Sequence, residues 1–215
     1  MLAVVTEATR EAQEMLRDPS TFQWATITLF LLTFYVYAVE IEARRWHVVL
    51  AGLAFWLWDW FNEISNSVIL HLTGESALWT INRQTSYLIL IGLCIEIAFM
   101  FLILPVAYVK LLPKDRDLKI LGVNNRWWYI VGCSMLAVAI EVVLNQLGAL
   151  EWHYGFWNWP FVPLIVIFGY LPFFWIATVI YDLGDNRRKQ LRIIGAQLAV
   201  VTTMLVVFGP VLNWI

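Results

Sequence analysis

Four acids and three asparagines lie well inside stretches of this 215-residue chain that are otherwise apolar. Asp59, Asn62, Glu63 and Asn66 recur at i, i+3, i+4 and i+7. At about 100° per residue they share one helix face, with Gly52 and Trp56 on the same stripe. Glu96 lies one turn from Gly92, and Glu141 and Asn145 form another i, i+4 pair in line with Ser134 and Gly148. In apolar surroundings a neutral carboxylic acid can give a proton to an alkene or epoxide. A second acid or an amide beside it can take the proton back or orient water. That is the chemistry these residue types would support.

The elements that must hold them follow from composition. The chain is 61% hydrophobic and 14% charged, with a mean hydropathy of +0.71. A soluble domain carries about 25% charged residues, so the excess apolar surface calls for lipid. The net charge of −2 gives no footing for nucleic acid. Crossing about 30 Å of hydrocarbon takes about 20 apolar residues in a helix. Six stretches qualify: 21–41, 46–70, 85–109, 127–150, 161–182 and 191–214. The expected fold is an all-α, polytopic bundle of six transmembrane helices joined by short loops, forming a single domain over 1–215. Residues 1–20 precede it as a short amphipathic helix on the membrane surface, with Val4, Val5, Ala8, Ala12, Met15 and Leu16 at helical spacing.

Eleven of the fourteen Lys and Arg residues fall in the loops after spans one, three and five, against Arg10, Arg17 and Arg83 on the other side. Basic loops stay cytoplasmic, which predicts both termini on the non-cytoplasmic side. Counted from the inner face at 1.5 Å per residue, Asp59, Glu96 and Glu141 come out roughly 14 to 21 Å deep, and Glu63, Asn66 and Asn145 about a turn further out. A charge at the bilayer centre costs on the order of 3 kcal/mol or more, so these acids are expected to face a shared interior. No Lys or Arg within the spans pairs with them. They are therefore protonated, or they share protons, water or a bound cation. The bland reading is that the amides and some acids only hydrogen-bond helices together.

Pro105 and Pro172 each free a carbonyl one turn back, on Phe101 and Phe168, and can shape a cavity. Nine of the thirteen Trp residues fall at span ends, as interfacial belts require. Trp56 and Trp60 are deeper, beside the acidic stripe, and are candidate binding residues together with Trp157. That residue sits in the aromatic loop 151–160, which reads equally as a lid or as a belt with a turn at Gly155. His47, His71 and His153 show no metal-ligand spacing, so no metal or cofactor is implied. Cys94 and Cys133 fall at different depths, which predicts no disulfide.

The run Trp60-Phe61-Asn62-Glu63 late in the second span is similar to the Trp and Glu cluster in span two of the small integral-membrane terpene cyclases of fungal meroterpenoid pathways. That resemblance implies a membrane-embedded acid, Glu63, that protonates an isoprenoid substrate. The cyclases have one more span and an acid in their last helix. Span six here has none, so Glu96 or Glu141 would take that place.

Three readings stand on these residues. The first is an enzyme acting on a lipid-soluble, isoprenoid-like substrate by cyclisation, isomerisation or hydration. Glu63 and Asp59 lead its chemistry, Glu141 and Glu96 support it, and Asn62, Asn66, Asn145, Trp56, Trp60 and Trp157 bind the substrate. The second is a small proton-coupled transporter or channel, and the third a non-catalytic membrane subunit or assembly factor. An enzyme predicts a closed, aromatic-lined pocket reachable from lipid, a carrier a water path on both sides of the acids, and a subunit acids on an outward stripe. Membrane lipids and a hydrophobic small molecule are the expected partners, and no oligomer is predicted.

Overall fold

The computed structural model describes residues 5–81 and 85–215, so Val4 and Arg83 lie outside it. The chain is mostly helical. The elements are α1 (Glu7–Met15), α2 (Ala25–Glu42), α3 (Trp46–Thr73), α4 (Ile95–Leu111), α5 (Asn125–Gln146), α6 (Val162–Asp182) and α7 (Arg187–Val211). Among the described residues, three antiparallel two-stranded ladders of a few residues decorate the ends: β1 (Trp79–Thr80) with β6 (Glu151–Trp152), β2 (Leu88–Leu90) with β3 (Leu93–Cys94), and β4 (Lys119–Ile120) with β5 (Val123–Asn124).

Among the described residues, four helices, α2, α5, α6 and α7, are long and apolar enough to cross a membrane. The other two expected spans do not meet that description by themselves. α3 is long, but Asp59, Asn62, Glu63 and Asn66 dilute its apolar content. α4 has 17 residues, about 25 Å of helix. α3 tolerates its polar face because it is central, packed by α4, α6 and α7. α2 stands outside against α4, with Phe30, Leu31, Leu32, Phe34 and Tyr35 exposed as a lipid-facing surface should be. α3 ends at Gly74, whose φ of +66° is left-handed and whose N–H bonds the Leu70 carbonyl at 2.9 Å, a glycine cap.

The third span differs from its sequence-based bounds. The chain over 88–94 is a β-hairpin, and the helix begins only at Ile95. The apolar run there buries itself against protein, not lipid. Leu88, Ile91 and Cys94 pack with Ala77, Ile81 and Ala12, a core separate from that of the bundle. Residues 74–81 and 85–94 thus belong to a long connection with structure of its own, where short loops are expected.

The N-terminal helix forms, yet it lies on this connection. Its Ala8, Thr9 and Ala12 are buried, Thr6 N–H bonds the Glu75 carbonyl at 3.3 Å, and Arg17 N–H bonds the Leu88 carbonyl at 2.8 Å. Its apolar stripe therefore closes a protein cap at one end of the bundle. Ala12 is fully buried, and an added side chain has no room there. Replacing Ala12 with Leu is expected to destabilise the cap by about 1–3 kcal/mol, read as a lower unfolding temperature in detergent. The exposed Glu11→Ala serves as a control that leaves it unchanged.

The opposite end carries the basic residues. Glu40 is held by Arg45, at 2.6 Å, and by Lys110. The Arg126 guanidinium donates to Asp182 at 2.8 and 2.9 Å and to the Pro113 carbonyl at 2.9 Å, and Arg187 stacks 4.9 Å over the Trp46 ring. These contacts tie the loops that join α2 to α3, α4 to α5 and α6 to α7.

Candidate functional site

Asp59 and Glu63 stand one turn apart near the middle of α3, the more distant about 26 Å from its first residue. Both are almost wholly buried, at 2% and 5% exposure. They face a cavity of about 560 Å³ bounded by α3, α4, α5, α6 and the cap. Glu96 and Glu141 line the same cavity, so the four acids singled out in the sequence meet at one void. Apart from them and a few other polar groups its wall is apolar, with Phe101, Phe173, Leu104, Ile140 and Leu144 among the lining side chains.

The carboxyls are held differently. Glu63 Oε1 accepts the Trp79 indole N–H at 3.1 Å, while Glu63 Oε2 and Asp59 Oδ2 are buried with no hydrogen-bond partner. Glu141 accepts the Tyr170 hydroxyl at 2.9 Å. Glu96 accepts from the Thr85 hydroxyl at 2.5 Å and the Ser86 N–H at 2.7 Å, so its oxygens are engaged in fixing the start of α4. It sits in the first turn of that helix, beside the cap, because the hairpin takes up the residues before it.

The other predicted residues divide. Asn62 and Trp157 line the cavity; Asn66, Asn145, Trp56 and Trp60 are not among the residues lining it. Asn66 instead clamps the connection. Its amide donates to the Trp79 carbonyl at 2.8 Å, and its oxygen accepts from the N–H groups of Leu78 and Trp79 at 2.7 and 3.3 Å. Asn145 donates to the Leu150 carbonyl at 3.1 Å, closing the end of α5. Trp56 and Trp60 meet edge to face at 5.7 Å.

Sequence reasoning missed Trp79, Tyr170, Thr85 and Ser86. Trp79 reads as one more belt residue, yet its N–H orients Glu63 and its ring stacks on Trp157 at 6.0 Å. Gly92 permits this approach. A Cβ there would come 2.6 Å from Glu63 Oε2 and would strike the Trp79 indole. Tyr170 closes a π-helical turn, Ile165–Tyr170, where the Leu171 N–H bonds the Val166 carbonyl five residues back. Pro172 has no N–H for the Phe168 carbonyl, and the widened turn relieves that mismatch. Only the freed Phe168 carbonyl is signalled in the sequence.

The cap roofs the cavity through the β1–β6 pair, with the Thr80 hydroxyl 2.8 Å from His153 Nε2 and the Tyr154 hydroxyl donating to the Ser76 carbonyl at 3.0 Å. Burial holds His153 below the usual imidazole value, against an opposing pull from Glu151. A base whose folded value is lowered stays neutral in the folded protein while the unfolded chain takes the proton. Its stabilisation is complete above the unfolded value of about 6.5 and is lost as pH falls through the lower folded one. Unfolding temperature is expected to drop on acidification from pH 7 to 5, less steeply in His153→Gln; equal slopes would deny His153 this role.

On the basic side the cavity floor is a cluster of rings. Phe55 lies 5.6 Å from Phe101, 4.8 Å from Phe173 and 5.3 Å from Phe174, and Phe174 meets Tyr108 at 4.8 Å. Toward the bundle's flank the wall is thin. Met100 and Leu104 of α4 and Ile140 and Leu144 of α5 line the cavity and are also exposed, Met100 and Ile140 by 56% and 54%.

Residues 6–210 match the model of a family described as an uncharacterized membrane protein family. A protein of Archaeoglobus fulgidus is 47% identical over 210 residues, covering 98% of this chain and 99% of its own length. A second, short protein of that organism is 46% identical over 56 residues, 26% of this chain and 98% of its own length. Both are named only as uncharacterized proteins. No solved structure matches. On a match that runs nearly the whole length of the sequence, the chain belongs to this membrane protein family.

Proposed function

We propose that this protein is an integral membrane enzyme that uses carboxyl groups for acid–base chemistry on a lipid-soluble, isoprenoid-like molecule. One observation carries the reading: two buried carboxyls with unpartnered oxygens, Asp59 and Glu63, face a largely apolar cavity of about 560 Å³. Glu63, oriented by Trp79, gives its proton to an alkene carbon. Asp59 takes a proton from attacking water in a hydration, or from a neighbouring carbon in a cyclisation or isomerisation, and returns it to Glu63. Glu141 with Tyr170 and the amide of Asn62 orient the water or the substrate. Glu96 supports the site by holding the α4 start.

Against a carrier stands the cluster of Phe55, Phe101, Phe173 and Phe174 on the side of the acids toward the basic end. Against an assembly subunit stands the burial of Asp59 and Glu63, which face inward. The basic end of the bundle is assigned to the cytoplasm and the cap, with both termini, to the other side, on the distribution of Lys and Arg. The test is mass spectrometry of lipids that co-purify with the protein. A terpene, sterol or quinone recovered with wild type supports the reading; repeated preparations holding only bulk phospholipid count against it.

A further inference from the structure

The cavity also says what kind of molecule it takes. Among the described residues that line it, none is Lys, Arg or His. The donors on its wall are largely engaged: Trp79 on Glu63, Tyr170 on Glu141 and Thr85 on Glu96. What remains without a partner at the head of the cavity is carboxyl oxygen, Asp59 Oδ2 and Glu63 Oε2, with the amide of Asn62 beside them. A buried polar atom without a partner is costly, and a ligand hydrogen bond would recover that cost. A phosphate or carboxylate head would meet carboxyls with no counter-cation, an arrangement that repels it. The tail has its own route. Met100, Leu104, Ile140 and Leu144 are lining residues that are also exposed on the flank of the bundle at α4 and α5.

We infer that the cavity binds a single-tailed lipid alcohol or amine, its head hydrogen-bonded to Asp59 and Glu63 and its tail leaving between α4 and α5 toward the bilayer. This deepens the function proposed above and rests on it for the chemistry, though not for the binding.

The probes are geranylgeraniol, geranylgeranyl phosphate and the shorter geraniol, titrated against purified protein in dodecyl maltoside with bound ligand counted after rapid gel filtration. Geranylgeraniol is expected to bind at least about tenfold tighter than the phosphate, a difference of about 1.4 kcal/mol. In the double variant Asp59→Asn, Glu63→Gln that preference is expected to shrink or vanish. Ile140→Trp, on an exposed position, is expected to weaken geranylgeraniol and spare geraniol. Phosphate binding as tight as alcohol, or no alcohol binding by wild type, overturns the inference. An Ile140→Trp variant that weakens both alcohols equally overturns the tail route. The same samples are followed by gas chromatography: alcohol that binds but stays unchanged tells against the enzyme reading with this substrate and leaves the binding intact.

Discussion

Glu63→Gln is expected to abolish turnover of the lipid substrate, by about a hundredfold or more, with little change in unfolding temperature. Glutamine is the right probe because its amide oxygen can still accept the Trp79 N–H that glutamate accepts at 3.1 Å. Size and indole contact survive, and only the transferable proton is removed. The assay is conversion of the co-purifying lipid, followed by mass spectrometry in reconstituted vesicles. Asp59→Asn is expected to give a comparable loss, since the proton taken up at the end of the cycle has nowhere else to go. A Glu63→Gln protein that retains full conversion would remove the carboxyl from the chemistry. One that unfolds would instead show the residue to be structural.

The second large effect is expected at Asn66, and it is on stability. Alanine there leaves the N–H groups of Leu78 and Trp79 without an acceptor and the Trp79 carbonyl without its donor. Asn66 is itself buried, so these groups cannot all turn to water. Each orphaned buried group costs about 1–3 kcal/mol, so a loss of about 2 kcal/mol or more is expected. For a chain of this size that lowers the unfolding temperature by about 5 °C. Asn66→Asp keeps the acceptor oxygen and is expected to lose less. Because the clamp holds the backbone of Trp79, Asn66→Ala is also expected to slow turnover by loosening the indole that orients Glu63. An unchanged unfolding temperature in Asn66→Ala would place the energy of that connection elsewhere, in the α1 docking surface.

The bundle and the acidic stripe of α3 were legible in the sequence because both rest on periodicity. Asp59, Asn62, Glu63 and Asn66 share a face by spacing alone, and a central helix is the one place where such a face avoids lipid. Charge asymmetry marked one end of the bundle in the same way. The start of α4 was not legible. Residues 85–94 are as apolar as a span, and hydrophobicity does not distinguish burial in lipid from burial beneath α1. That single ambiguity hid both the place of Glu96 in the first turn of α4 and the hairpin that brings Gly92 against Glu63. Partners across the chain were equally silent: Trp79 is 16 residues from Glu63 and Tyr170 is 29 from Glu141, separations set by tertiary packing and not by any local repeat. The split among the asparagines has the same origin. Asn66 lies on the acidic stripe by spacing, but it is high enough on α3 to meet the connection, and there backbone groups claim it.

Deuterium transfer reaches the central claim most directly. Membranes containing the wild-type protein are incubated in heavy water, and their extracted lipids are compared with those from Glu63→Gln membranes. An acid that protonates carbon leaves one solvent deuteron bound to carbon, which does not wash out on return to ordinary water. The account predicts a neutral lipid that acquires this label with wild type and not with Glu63→Gln. If no lipid acquires it, or both membranes label the same lipid equally, Asp59 and Glu63 do not perform the proposed chemistry.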